Sequence, residues 1–139
     1  MWRKRSSREK GHGRHCEVVV SAHSLANPQW SPLSERAPKW MRTGLRLFER
    51  LDSVAKTLEV FPSASYRMLQ GEENLTATLD LGQLFEGPKD MIDACIAAVT
   101  VREFLAGRGC AVGGGDALGQ LILPRPIREP IPEVFEWPS

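Results

Sequence analysis

Ten prolines punctuate this chain of 139 residues, and they fix where regular structure can run. Proline locks φ and lacks an N–H, so helix interiors and central strands must lie between prolines. Asn27-Pro28, Ser31-Pro32 and Ala37-Pro38 mark 24–38 as a loop. Pro62 stops whatever precedes it, Pro88 suits the first turn of a helix, and Pro124 ends a strand over Leu121-Ile122-Leu123. Five prolines after residue 123 predict a tail that runs extended along a surface.

The proline-free stretches carry the periodic patterns. Over 39–55, Trp40, Met41, Leu45, Phe48, Leu51 and Val54 recur at spacings of three and four, which predicts an amphipathic helix. Lys39, Arg42, Arg46 and Arg50 follow the same period and form a second, basic stripe. Residues 56–61 read as a strand, apolar on both faces except at Glu59, as expected of a central strand in an α/β sheet. Ser63 or Ser65 is placed to cap a short helix through Leu69, with Gly71 to close it. Residues 70–86 read as a loop with an apolar stretch at 79–84. A longer helix is expected over 88–107, ended by Gly107 and Gly109, with a glycine-rich turn from Cys110 to Gly115 after it. Near the N-terminus, Cys16-Glu17-Val18-Val19-Val20-Ser21-Ala22 is too short for its period to decide between strand and helix. Its three successive valines favour a strand.

Composition bounds the function classes. Three widely spaced cysteines (Cys16, Cys95, Cys110) with no Cys-x-x-Cys fit neither a disulfide framework nor a structural zinc site, and imply a reducing cytoplasm. No apolar run is long enough to span a bilayer, and no apolar segment follows the basic N-terminus as in a secretory signal, so no membrane partner is expected. The net charge of +1 conceals an asymmetry. Residues 1–14 hold six basic residues and one acid, +5, while the rest hold 12 basic and 16 acidic, −4. A basic arm and a basic helix stripe are features that can track nucleic-acid phosphates.

The carboxylates point to a second chemistry. Glutamate is seldom buried without a partner, so Glu59 within an apolar strand calls for a cation, either an arginine at an exposed strand end or a bound metal. Asp90 and Asp93 lie one helical turn apart on one face. Asp90 also suits the positive end of the helix dipole. Asp93 precedes an almost continuous apolar stretch, Ala94 to Val99, which predicts a helix buried between layers. Carboxylate clusters suit Mg²⁺ or Mn²⁺, and paired ions of this kind support phosphodiester cleavage.

Several segments together resemble a known family. They are Glu59-Val60-Phe61-Pro62-Ser63-Ala64-Ser65-Tyr66-Arg67, Asp90-x-x-Asp93-Ala94-x-x-x-Ala98, Phe104-Leu105-Ala106-Gly107 and Leu121-Ile122-Leu123-Pro124. Upstream, Arg14-His15-Cys16-Glu17 and Trp40-Met41-x-x-Gly44-Leu45-x-Leu47-Phe48 add to them. In this order they resemble the domain of unknown function 429, a family of predicted nucleases of RNase H-like fold, across roughly residues 14–126. The resemblance implies an α/β fold, a mixed sheet flanked by helices. It also implies a metal-dependent nuclease with Glu59, Asp90 and Asp93 as catalytic metal ligands for Mg²⁺ or Mn²⁺. The first-strand aspartate of such sites has no match, because no Asp-Gly occurs in the chain.

These observations set the expectations for the structure. The chain reads as a basic disordered arm (1–15), an incomplete RNase H-like domain (16–126) and a proline-rich tail (127–139). A missing first hairpin would leave a sheet face or edge for a second copy or a partner chain to cover. The function expected is metal-dependent phosphodiester hydrolysis, inactive if the missing aspartate is essential. The alternatives are a non-catalytic domain binding protein, or nucleic acid through Lys39, Arg42, Arg46 and Arg50, and a truncated product with no independent function.

Overall fold

A computed structural model describes residues 13–32, 34–73 and 89–136. The expected disordered arm lies almost wholly outside the described residues, as do the 79–84 apolar stretch and Pro88. The described part is α/β, with a small mixed sheet and helices packed on it. In chain order the elements are α1 (His15–Ala22), a 3₁₀ turn (Ser34–Arg36), α2 (Lys39–Asp52), β1 (Glu59–Val60), α3 (Pro62–Leu69), α4 (Lys89–Leu105), β2 (Cys110–Gly113), β3 (Gln120–Leu123) and α5 (Pro132–Phe135).

The valine run is a helix. Its β-branched residues disfavour helix only by tenths of a kcal/mol each, roughly, and burial outweighs that. Cys16, Val18, Val19 and Val20 are all buried, on more than one side of α1, which a half-covered strand does not allow. The helix start is fixed by Glu17, whose carboxylate accepts the Arg14 backbone N–H at 2.9 Å. The core gathers these residues with Ala64, Val112, Leu121, Leu123 and Val134. Leu123 at the centre is fully buried.

The sheet order is β1-β3-β2. β1 runs parallel to β3 with Glu59 opposite Leu121, and β2 runs antiparallel to β3 with Ala111 opposite Ile122. Among the described residues β1 is therefore a two-residue edge strand, not the central strand that its apolar sequence suggested. The apolar residues Leu58, Val60 and Phe61 beside Glu59 are only half-buried. Residues 110–113, expected as part of a turn, instead pair with β3, and the turn begins at Gly114. The strand centred on Leu121-Ile122-Leu123 is present as expected.

Helix boundaries follow local chemistry, with three corrections. α3 begins at Pro62 with Phe61 before it, so neither Ser63 nor Ser65 caps it. Ser65 points inward instead, its hydroxyl fully buried without a hydrogen-bond partner among the described residues. Gly71 (φ +84°) and Gly107 (φ +76°) follow α3 and α4, as the sequence indicated. α4 is not sandwiched between layers. Only Val99, Thr100 and Glu103 are buried, and Ile92 near its start is exposed. The tail is not simply extended either, since α5 turns Val134 into the core.

Gly113 joins α1 to the sheet. Its φ of +91° disfavours any side chain, and a Cβ there would lie 2.5 Å from Cys16 Cβ and 2.6 Å from the Cys16 backbone. Gly113→Ala should lower stability by about 2 kcal/mol, read as a reduced denaturation midpoint. An unchanged midpoint would mean that α1 does not sit this close to β2.

Candidate functional site: the Arg14–Glu59 pair and its cavity

Arg14 stands just before α1 and faces the start of β1. Its Nη1 donates to Glu59 Oε2 at 2.8 Å and its Nη2 to Glu59 Oε1 at 2.5 Å, a bidentate pair. Its Nε donates to Glu17 Oε1 at 3.1 Å. Glu17 is buried and also accepts the Ser31 backbone N–H at 3.1 Å and the Ser31 hydroxyl. One guanidinium thus ties the α1 start, the edge strand and the proline-rich loop together. Its hydrogen bonds to Glu59 raise the Arg14 pKa further, against the opposing effect of burial.

The neighbouring loop is fixed by Asp116. Its carboxylate accepts the His15 backbone N–H at 2.7 Å and the Leu118 N–H at 3.0 Å. Gly115 N–H donates to His15 Nδ1 at 3.0 Å, which leaves Nε2–H to donate to the Val134 carbonyl at 2.6 Å. His15 is thereby a structural link from the loop to α5. Cys16 beside it is inert as a nucleophile, because burial pushes its thiol up to about 12.

This polar cluster lies at the wall of a cavity of about 700 Å³. Arg14, Glu17 and Glu59 line it together with apolar residues of α2, among them Met41, Leu45 and Phe48. The Glu59 side chain is 35% exposed there.

The two helix acids are elsewhere. Asp90 is exposed, and neither it nor Asp93 lines this cavity. Asp93 accepts from Lys89 Nζ at 2.5 Å, an i,i+4 pair on the first turns of α4 that raises the Lys89 pKa. Among the described residues no three His, Cys, Asp or Glu side chains come together as a metal-ligand group. Both Glu59 oxygens are engaged by Arg14, and one Asp93 oxygen by Lys89. As arranged, the donor set does not fit a divalent cation, which needs several free oxygens converging on one point. The basic stripe is arranged as its period predicted: Lys39, Arg42, Arg46 and Arg50 are all exposed on α2.

Two arrangements were not assigned from sequence. The arginine that answers Glu59 lies 45 residues upstream of it, and only the tertiary fold selects it. Glu103, buried, accepts from Arg108 Nε at 2.6 Å, Arg125 Nη1 at 2.7 Å and Arg102 Nε at 3.1 Å. Arg125 also forks onto Glu72. The one sequence signal was a glutamate in a helix flanked by Arg102 and Arg108.

No family model, no curated protein and no solved structure matches this chain. No described helix is long and apolar enough to cross a membrane.

Proposed function

We propose that this chain is a non-catalytic nucleic-acid-binding domain built on an incomplete RNase H-like scaffold. The observation that carries the reading is the face of α2 on which Lys39, Arg42, Arg46 and Arg50 are all exposed. Four cations at helical spacing span about 16 Å of one helix edge, a length over which several backbone phosphates pass. The engagement of both Glu59 oxygens by Arg14 supports the non-catalytic part. Four phosphate contacts imply a fall in affinity of about 50- to 150-fold between 50 and 200 mM salt. Fluorescence anisotropy with labelled single-stranded and duplex oligonucleotides measures this, with no dependence on Mg²⁺ beyond its ionic strength. Arg46→Glu with Arg50→Glu should abolish binding and leave the fold intact. Binding that ignores salt and the double substitution would sink the reading.

One observation favours the second reading, a Mg²⁺- or Mn²⁺-dependent nuclease using Glu59, Asp90 and Asp93. Glu59 keeps part of its surface open to a cavity whose volume is within the range of small-ligand sites. Cleavage of single-stranded, duplex or hybrid substrates with Mn²⁺, lost in both Glu59→Gln and Asp93→Asn, would establish it and displace the non-catalytic one.

A further inference from the structure

Helix α1 carries a histidine at each end, and both rings reach the C-terminal segment. At its start, His15 Nε2–H donates to the Val134 carbonyl at 2.6 Å, and His15 Nδ1 accepts the Gly115 N–H at 3.0 Å. At its end, His23 Nε2 accepts the Ile131 N–H at 3.0 Å. The proton of the neutral His23 ring therefore sits on Nδ1, which donates to the Val19 carbonyl at 2.9 Å. Ile131 is the residue just before α5, and the His23 ring also meets the Phe135 ring edge-on, with centroids 5.4 Å apart. Val134 is set into the core between these two attachments, while Ile131, Pro132, Glu133 and Phe135 are exposed.

We propose that His23 is a pH-sensitive catch for the C-terminal segment, releasing Ile131 and the start of α5 when its ring gains a proton. The two rings answer a proton differently. On His15 it goes to Nδ1, which breaks the bond from Gly115 and leaves the bond to Val134 intact. On His23 it goes to Nε2, which sets an N–H against the Ile131 N–H. The segment therefore loses its hold at Ile131 while His15 keeps Val134 tied. The charged His23 ring keeps its bond to Val19, a carbonyl in the last turn of α1, where the negative end of the helix dipole favours a cation. The other titratable and charged groups of α1, namely His15, Cys16 and Glu17, lie at its opposite end. Those of the C-terminal segment are Arg128, Glu129, Glu133 and Glu136, all exposed, where water weakens any pull on the ring. A neutral ring with Ile131 docked and a charged ring with Ile131 released are each satisfied arrangements, as a two-state switch requires.

The docked form excludes the added proton and the released form takes it, so docking weakens as the pH falls. A histidine charges near pH 6.5 in the ordinary case, so a segment that needs one such ring neutral should open about tenfold more often at about pH 5.5 than at about pH 7.5. Amide hydrogen exchange of the full chain, followed by NMR and corrected for the intrinsic rate at each pH, should show that rise at Ile131 and Phe135. The Ile131 amide shift should titrate together with the His23 ring. Glu103, whose carboxyl Arg108 holds well below its ordinary value, keeps its charge over this range and adds no response. His23→Phe keeps an aromatic ring beside Phe135 but offers Ile131 no acceptor, so its segment should exchange rapidly at both pH values. Wild-type protection at Ile131 and Phe135 that is equal at the two pH values overturns the proposal. A rise that persists in His23→Phe overturns it too, by placing the response at His15 or another group.

Discussion

Arg14→Ala should destabilise the fold by about 3–4 kcal/mol, the range for removing one partner from a largely buried ion pair. The cost is high because the guanidinium serves two carboxylates from different parts of the chain. Among the described residues, its loss leaves Glu17, almost fully buried, with Ser31 and a backbone amide to answer it. Glu59 is more open to solvent and suffers less. Arg14→Lys should recover little, because an ammonium cannot present the fork that holds both Glu59 oxygens. Urea denaturation checks both variants. An Arg14→Lys chain as stable as the wild type would show that charge alone, without bidentate geometry, holds the α1 start to β1. Glu59→Gln should be milder, about 1–2 kcal/mol, since it leaves an amide able to accept one of the two bonds.

Glu103→Ala should cost about 3 kcal/mol, by removing a buried acceptor that gathers three arginines from α4, its C-terminal turn and the start of the tail. Arg102 and Arg108 are about half exposed and regain water when the carboxylate is gone, which keeps the loss below that of a fully enclosed pair. The same cluster predicts a pH dependence. Hydrogen bonds from Arg108, and after the opposing effect of desolvation those from Arg125 and Arg102, hold the Glu103 carboxyl well below its ordinary value of 4.5. A carboxyl with a depressed folded-state pKa binds protons more readily when unfolded, so it contributes stability above pH 4.5 that is lost as the pH falls. Thermal melts from pH 7 to pH 2 should therefore show a falling midpoint below about pH 5 in the wild type. The fall should be shallower in Glu103→Gln, which carries no titrating carboxyl at this position. Parallel curves for the two chains would remove Glu103 from the acid response.

Patterns confined to one element were legible. The α2 helix, its basic stripe, α3 with its closing glycine, the C-terminal end of α4 and the strand at Leu121–Leu123 all follow from periodicity and breaker residues. Where burial decided, local reading went astray. The valines of α1 favour a strand by propensity, yet the core surrounds them on more than one side and the helix is the form that satisfies their backbone. Cys110 to Gly115 reads as a turn because of Gly113, Gly114 and Gly115, but pairing with β3 draws residues 110–113 into the sheet. The apolar stretch of α4 was read as doubly buried, while its first turns are in fact open to water.

The candidate site divides in the same way. Sequence alone established that Glu59 needs a cation, because a carboxylate among apolar strand residues is costly to leave unpaired. It also established that Asp90 and Asp93 share a face and that four cations line α2. Which cation answers Glu59 was decided by the tertiary structure. Arg14 reaches Glu59 because α1 packs on the sheet beside β3, the strand that carries β1. Lys89 reaches Asp93 because the two lie one turn apart in α4. Local spacing fixes contacts within one helix, whereas a contact across 45 residues depends on how the whole core closes, and no short-range pattern encodes that.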